Sequence, residues 1–87
     1  MMQVGKTANF VKKYRKLPIS IKRKVEKQIR FLALDFFHPS LNTKKHSLGI
    51  DWWEFRVDYH FRMTGKKING DIILHTVGPH DEGLGKK

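Results

Sequence analysis

Arg56, Arg62, His75 and His80 are the side chains of this sequence whose types suit work on a phosphodiester. A guanidinium offers a planar fork of donors to phosphate oxygens and stays charged at any relevant pH. An imidazole exchanges protons near neutrality. Cutting an RNA backbone without a metal needs a group to deprotonate a ribose 2′-hydroxyl and a group to protonate the leaving oxygen. It also needs cations to stabilise the crowded phosphate. The plain alternative is that Arg and His on an open sheet merely face solvent. Residue types leave both readings standing, so the question passes to the elements that would gather the four.

Residues 52–77 read as three strands. Trp52 to Val57 alternates, with Trp53, Phe55 and Val57 on one face and Trp52, Glu54 and Arg56 on the other. Tyr59 to Lys67 alternates likewise, Phe61 and Met63 opposing His60 and Arg62. Asn69-Gly70 signals a two-residue hairpin turn, after which Asp71 to Val77 returns as the last strand. That turn predicts a register in which Ile68 faces Asp71, Thr64 faces His75, Met63 faces Thr76 and Arg62 faces Val77. Directly opposed residues share a side of the sheet. Phe61, Met63, Ile72, Leu74 and Thr76 would then form the packed side. His60, Arg62, Thr64 and His75 would form the open side with Ile73 and Val77 between them, joined by Glu54 and Arg56, and with His80 just past the strand. A slip of one residue would invert every one of these assignments.

The first half of the chain supplies the packing partners. A weakly signalled strand covers Met2 to Lys6. From Thr7, Phe10, Tyr14 and Leu17 recur at helical spacing among Lys12, Lys13, Arg15 and Lys16, and Pro18 stops that helix. Ile21, Val25, Ile29, Leu32 and Phe36 form one stripe along a second helix, with Lys22, Arg23, Lys24, Lys27 and Arg30 mostly off it. Residues 38–49 are polar and turn-rich. The predicted order is strand, helix, helix, strand, strand, strand: an α+β class fold, a small antiparallel sheet with a two-helix hairpin on one face, in a single domain spanning 1–87.

Charge points to the class of partner. The 87 residues hold 18 Lys and Arg against 8 Asp and Glu, a formal net charge of +10. Residues 1–30 carry ten of the basic side chains and one acidic one, Glu26. A field so concentrated attracts polyanions, of which nucleic acid is the usual one, although a solvated solubilising face would look the same. Without cysteine there is neither a disulfide framework nor a thiolate metal site. No stretch approaches the ~20 apolar residues of a membrane span, so a cytoplasmic protein is expected. His38 and His46 lack the spacing and carboxylate neighbours of a metal pair and read as loop residues; no metal and no cofactor is expected. Trp52 is the tryptophan left on the open face, where it could stack on a base, with His75 partly covered by it.

Four segments together resemble the RelE/ParE toxin superfamily: Phe10-Val11-Lys12-Lys13-Tyr14-Arg15-Lys16-Leu17-Pro18, Trp53-Glu54-Phe55-Arg56-Val57, Phe61-Arg62-Met63 and Val77-Gly78-Pro79-His80-Asp81-Glu82. They are similar to that family's first helix ending in Leu-Pro, two of its strands and its terminal signature, in family order and spacing across nearly the whole chain. The resemblance implies a toxin of a type II toxin–antitoxin system. In the ribonuclease branch such a toxin enters the ribosomal A site and cuts mRNA there without a metal. By position it implies that Arg62 stabilises the transition-state phosphate, that His80 in the terminal loop does acid–base work, and that Arg56 is a basic strand residue. Lys44, Lys45 and His46 fall where several members place further basic or acid–base groups. An antitoxin partner covering the basic surface is implied as well, alongside the ribosome and mRNA.

Two residues depart from the pattern. Glu54 occupies a position often basic in the RNA-cutting branch, so either the active site is reorganised or its charge is paired with Arg56 or a nearby lysine. Leu84 stands where an aromatic residue commonly follows the terminal Arg or His. Two other functions fit the same sequence: a gyrase-inhibiting toxin of the ParE branch, and a non-catalytic module that binds RNA or the ribosome.

Overall fold

Thr7 starts the first helix by accepting the Phe10 N–H on its hydroxyl at 3.1 Å. The helix α1 then runs Ala8–Arg15, and Pro18 precedes α2, Ile19–Leu34. The computed structural model describes residues 2–79. Its strands are β1 Val4–Lys6, β2 Lys44–Lys45, β3 Trp52–Arg56, β4 Phe61–Ile68 and β5 Asp71–Pro79, joined in one sheet of order β1-β5-β4-β3-β2. A short 3-10 turn, Pro39–Leu41, lies between α2 and β2. The α+β class and the helical hairpin on one face are as the sequence predicts.

From β2 to β5 the sheet is antiparallel, whereas β1 lies parallel to β5, with Val4 opposite Ile72 and Lys6 opposite Leu74. A parallel pair needs a long connection between its strands, and the two helices begin one here. The two-residue β2 has no hydrophobic alternation to announce it; Lys44 and Lys45 are both exposed.

The helical stripe packs as predicted at three of its five residues, while Phe36 lies past the end of α2 at Leu34. Ile21, Val25 and Leu32 are buried against Phe55, Met63, Ile72, Leu74 and Val77, with Phe10 from α1 and Leu41 from the 3-10 turn completing the core. Ile29 and Phe36 are only partly buried, and the fully enclosed position between turns belongs to Gln28. Its Nε2 donates to the carbonyls of Arg56 at 2.8 Å and Ser40 at 3.0 Å, and its Oε1 accepts the Ser40 hydroxyl at 3.3 Å. A buried amide is retained because each of its polar atoms is satisfied. It fastens α2 to the end of β3. Elsewhere the Tyr14 hydroxyl donates to the Glu26 carboxylate and so ties α1 to α2, and that bond, with burial and the carboxylate charge behind it, raises the tyrosine above its ordinary value.

The β4–β5 hairpin turns at Asn69 and Gly70, both with positive φ (52° and 85°), as the Asn-Gly signal requires. Its register follows the prediction from Ile68 opposite Asp71 as far as Gly65 opposite Leu74, then shifts. Thr64 faces Thr76, Met63 faces Val77 and Arg62 faces Gly78, with His75 as the extra residue of a β-bulge. The expected pairings of Thr64 with His75, Met63 with Thr76 and Arg62 with Val77 are therefore corrected by one residue. Val77 becomes a core residue at 2 % exposure, and Thr76 takes the open side instead. Gly65 is the cause. A Cβ on it would lie 2.7 Å from the Ile73 carbonyl and 3.1 Å from a Leu74 methyl, so only glycine allows β5 to close in there.

Candidate functional site

Arg56 and Arg62 are direct cross-strand partners on β3 and β4. They share the sheet face opposite to the one on which Phe55 and Met63 meet the helices. Like charges so opposed repel, and Cβ atoms in such pairs are only ~5 Å apart. The side chain of Arg56 makes no hydrogen bond or ion pair among the described residues, and its carbonyl is the one held by Gln28.

Arg62 is set rigidly. Its Nη1 lies 2.6 Å from the carbonyl of Asp58, 3.0 Å from that of Phe61 and 3.2 Å from that of Tyr59, so the guanidinium grips the turn between β3 and β4. That turn is itself braced. Asp58 accepts the backbone N–H groups of His60 at 2.9 Å and Phe61 at 3.0 Å on one oxygen, and the Lys24 ammonium of α2 at 3.2 Å on the other. Burial pushes the Asp58 carboxyl up, but the two backbone donors and Lys24 outweigh it and hold the group below its ordinary value. The Arg62 side chain is 15 % exposed: sunk into the surface, yet not under the helices.

Glu54 supplies the counter-charge that its position called for. Its Oε2 lies 3.6 Å from Arg62 Nε and 3.9 Å from Lys44 Nζ. The expected partner, Arg56 or a nearby lysine, is thus in part corrected: the arginine is Arg62, and Lys44 is the lysine. Lys44 reaches the site because β2 pairs it with Glu54 on the open face.

The remaining predicted residues divide. Lys45, one residue on, belongs to the other face, with Nζ 5.4 Å from the Trp53 ring centre and donating to the Ile50 carbonyl at 3.2 Å. His46 accepts the Leu48 N–H on Nδ1 at 3.1 Å, a turn-forming role. Trp52 and His75 do meet, ring centres 4.6 Å apart at 63°, but they form a separate cluster. Arg56 lies four residue steps along β3 from Trp52, or ~13 Å of strand. His38 stacks on Phe31 at 4.1 Å and caps the Pro39–Leu41 turn through the Ser40 N–H. His80 and Leu84 lie outside the described residues. The described part of β5 brings Gly78 opposite Arg62 and Pro79 opposite Phe61.

Sequence reasoning missed Asp58, Lys24 and Gln28 as supports of this site. Asp58 left a trace, because Asp next to a turn commonly accepts the N–H groups two and three residues on. Gln28 left one too, as the polar residue inside an otherwise apolar helical face.

No family model and no curated protein matches the sequence. Solved structures do match in shape. Similar chains include one from the RelB-RelE antitoxin-toxin complex of Methanococcus jannaschii, 17% identical, with a TM-score of 0.75 over 88% of this chain and 91% of that one. The YoeB/ParE toxin from Agrobacterium tumefaciens is 13% identical, with a TM-score of 0.73 over 91% of this chain and 99% of that one. This chain has the RelE/ParE toxin fold. The E. coli DinJ-YafQ toxin-antitoxin complex contains the same fold, at 11% identity and a TM-score of 0.73 over 97% of this chain and 98% of that one. Within the RelE/ParE fold of this chain, Arg56, Arg62, Glu54 and Lys44 come together on the open sheet face. Among the described residues, no helix is long and apolar enough to cross a membrane.

Proposed function

We propose that this chain is the toxin of a type II toxin–antitoxin pair, an endoribonuclease that cuts mRNA on the ribosome in the cytoplasm and so halts translation. The observation that carries the reading is the opposed Arg56–Arg62 pair: two arginines share one open face, and Glu54 is paired with Arg62 and Lys44 while the Arg56 side chain has no ion-pair partner among the described residues. An anion placed between the arginines would relieve their repulsion, and an RNA phosphate has the charge and the pair of non-bridging oxygens to do so.

In the proposed reaction the ribose 2′-oxygen attacks the adjacent phosphorus, its proton passing to a base, while the 5′-oxygen leaves and takes a proton from an acid. The phosphorane-like transition state carries more negative charge on its equatorial oxygens than the ground state does. Arg62, already fastened by the Asp58, Tyr59 and Phe61 carbonyls, meets that charge without reorganising. Arg56 adds the second cation. His80, which follows Pro79 directly, is the proposed proton carrier. Lys44 is proposed as a further backbone contact, and Trp52 with His75 as a stacking position for a flanking base. Lys45, in β2, and His46, just after it, are proposed as supports of this edge. An antitoxin of acidic or amphipathic character is the proposed partner, as the RelB-RelE and DinJ-YafQ complexes pair a toxin with an antitoxin.

Sequencing of mRNA 5′ ends after a brief induction tests the reading. Cuts inside codons of translated messages are expected, and Arg62→Ala is expected to abolish them. Growth arrest with intact messages and DNA damage would replace the nuclease with gyrase inhibition. Salt-sensitive RNA binding without arrest would leave only a binding module.

A further inference from the structure

The guanidinium of Arg62 has two edges that could each present a pair of parallel donors to an oxyanion. Three backbone carbonyls occupy Nη1, which removes the end-on edge and leaves Nε with Nη2. Glu54 Oε2 stands on that remaining edge, 3.6 Å from Nε, and among the described residues both atoms are shut off from solvent with no hydrogen-bond partner. Opposite charges that have lost water without gaining a hydrogen bond are poorly compensated. The carboxylate does not orient the arginine, because the carbonyls already do so at shorter distances. Lys44 Nζ offers the same oxygen a second partner at 3.9 Å, at the more solvent-exposed end of the triad.

We infer that Glu54 is an internal stand-in for the RNA phosphate: it occupies the one free edge of Arg62 in the empty protein and is displaced toward Lys44 when the scissile phosphate binds. The inference rests on the reading of Arg62 as the phosphate-holding residue. Glu54 therefore lowers affinity for the polyanion at one defined point while keeping the opposed arginines compatible with a folded, empty sheet. It also favours ligands that bind a bidentate guanidinium more strongly than a carboxylate does.

The experiment measures the affinity of the protein for ribosomes programmed with an mRNA whose cut position carries a 2′-deoxynucleotide, which cannot be cleaved. Glu54→Gln is expected to bind about five- to tenfold tighter, the gain of one charge-assisted contact freed from competition. Glu54→Asp keeps the charge but falls short of Nε by one methylene, and is expected to bind about threefold tighter on the same ground. Asp51→Asn removes one exposed negative charge elsewhere and is expected to leave affinity nearly unchanged. In an Arg62→Ala background, Glu54→Gln is expected to make no difference. Tightening that persists without Arg62, or that Asp51→Asn reproduces, overturns the inference. So does affinity equal to or below wild type in both Glu54 variants, or failure of both to fold, which would make the carboxylate a structural support. If Arg62→Ala alone leaves ribosome affinity and cleavage intact, the phosphate reading itself has failed. If Arg62→Ala weakens both while the Glu54 variants do not tighten, only the stand-in has failed.

Discussion

The cations of the helical hairpin and those of the sheet differ in how they are held. Lys12, Arg15, Arg23, Lys27 and Arg30 stand exposed on α1 and α2, with Lys16 exposed just past the end of α1. Arg62 is 15 % exposed, tied to three carbonyls and faced by a carboxylate, and Arg56 sits opposite it. Mobile surface charge gathers a polyanion from a distance, to a degree set by ionic strength. Immobilised charge discriminates between a phosphate in its ground state and one in its transition state. Under the proposed function the molecule separates attraction from chemistry, and each half can be broken without the other.

Arg62→Ala should break the chemical half most severely, lowering single-turnover cleavage by about 10²–10³-fold, as loss of one preorganised transition-state donor does. Arg62→Lys should recover little, since an ammonium cannot hold the turn carbonyls and present a fork together. Gln28→Leu comes next. It strands the Arg56 and Ser40 carbonyls, a loss of about 1–3 kcal/mol in urea unfolding, with ribosome binding by the folded fraction unchanged. On the helical side, Lys12→Ala with Lys16→Ala should leave the cleavage step at saturation untouched. The pair should reduce the slope of log affinity against log salt by about 0.7 for each phosphate left without its lysine. A cleavage rate that fell with these lysines would merge the two halves. The smallest effect belongs to Asp58. Its folded value lies below the ordinary one, so its contribution to stability is complete above the usual carboxylate range and is lost as pH falls below about 4. Asp58→Asn should therefore lower stability slightly at neutral pH and flatten the acid limb of the stability–pH curve, the difference from wild type vanishing below about pH 4.

Much of this was legible in the sequence because it rests on local rules. The stripe of Ile21, Val25 and Leu32 follows helical periodicity, the face of Phe55 and Val57 follows strand alternation, and Asn69-Gly70 dictates its own turn. The failures arise where one residue's shape overrides the pattern. Gly65 lets β5 approach and His75 bulge, so Val77 turns inward although strict alternation from the hairpin turns it out. An isolated glycine within a strand was the available warning. The site was half legible. Residue type and resemblance both single out Arg56 and Arg62, and alternation puts both on the open face. The partner of Glu54 depends on which long side chain bends toward it across neighbouring strands, and Lys44 reaches it through a strand too short to have a period. His75 and Trp52 joined each other instead of the arginines: the bulge makes His75 the extra residue of β5 and puts Gly78, not Val77, opposite Arg62.

The parallel pairing of β1 with β5 sets a timetable for synthesis. The earliest strand to leave the ribosome has as its neighbour the latest of the described strands, Gly5 waiting for Ile73, so the sheet edge cannot close until nearly all of the described chain has emerged. Contacts spanning such separations form slowly. Until β5 has been made, β1 waits without its parallel neighbour.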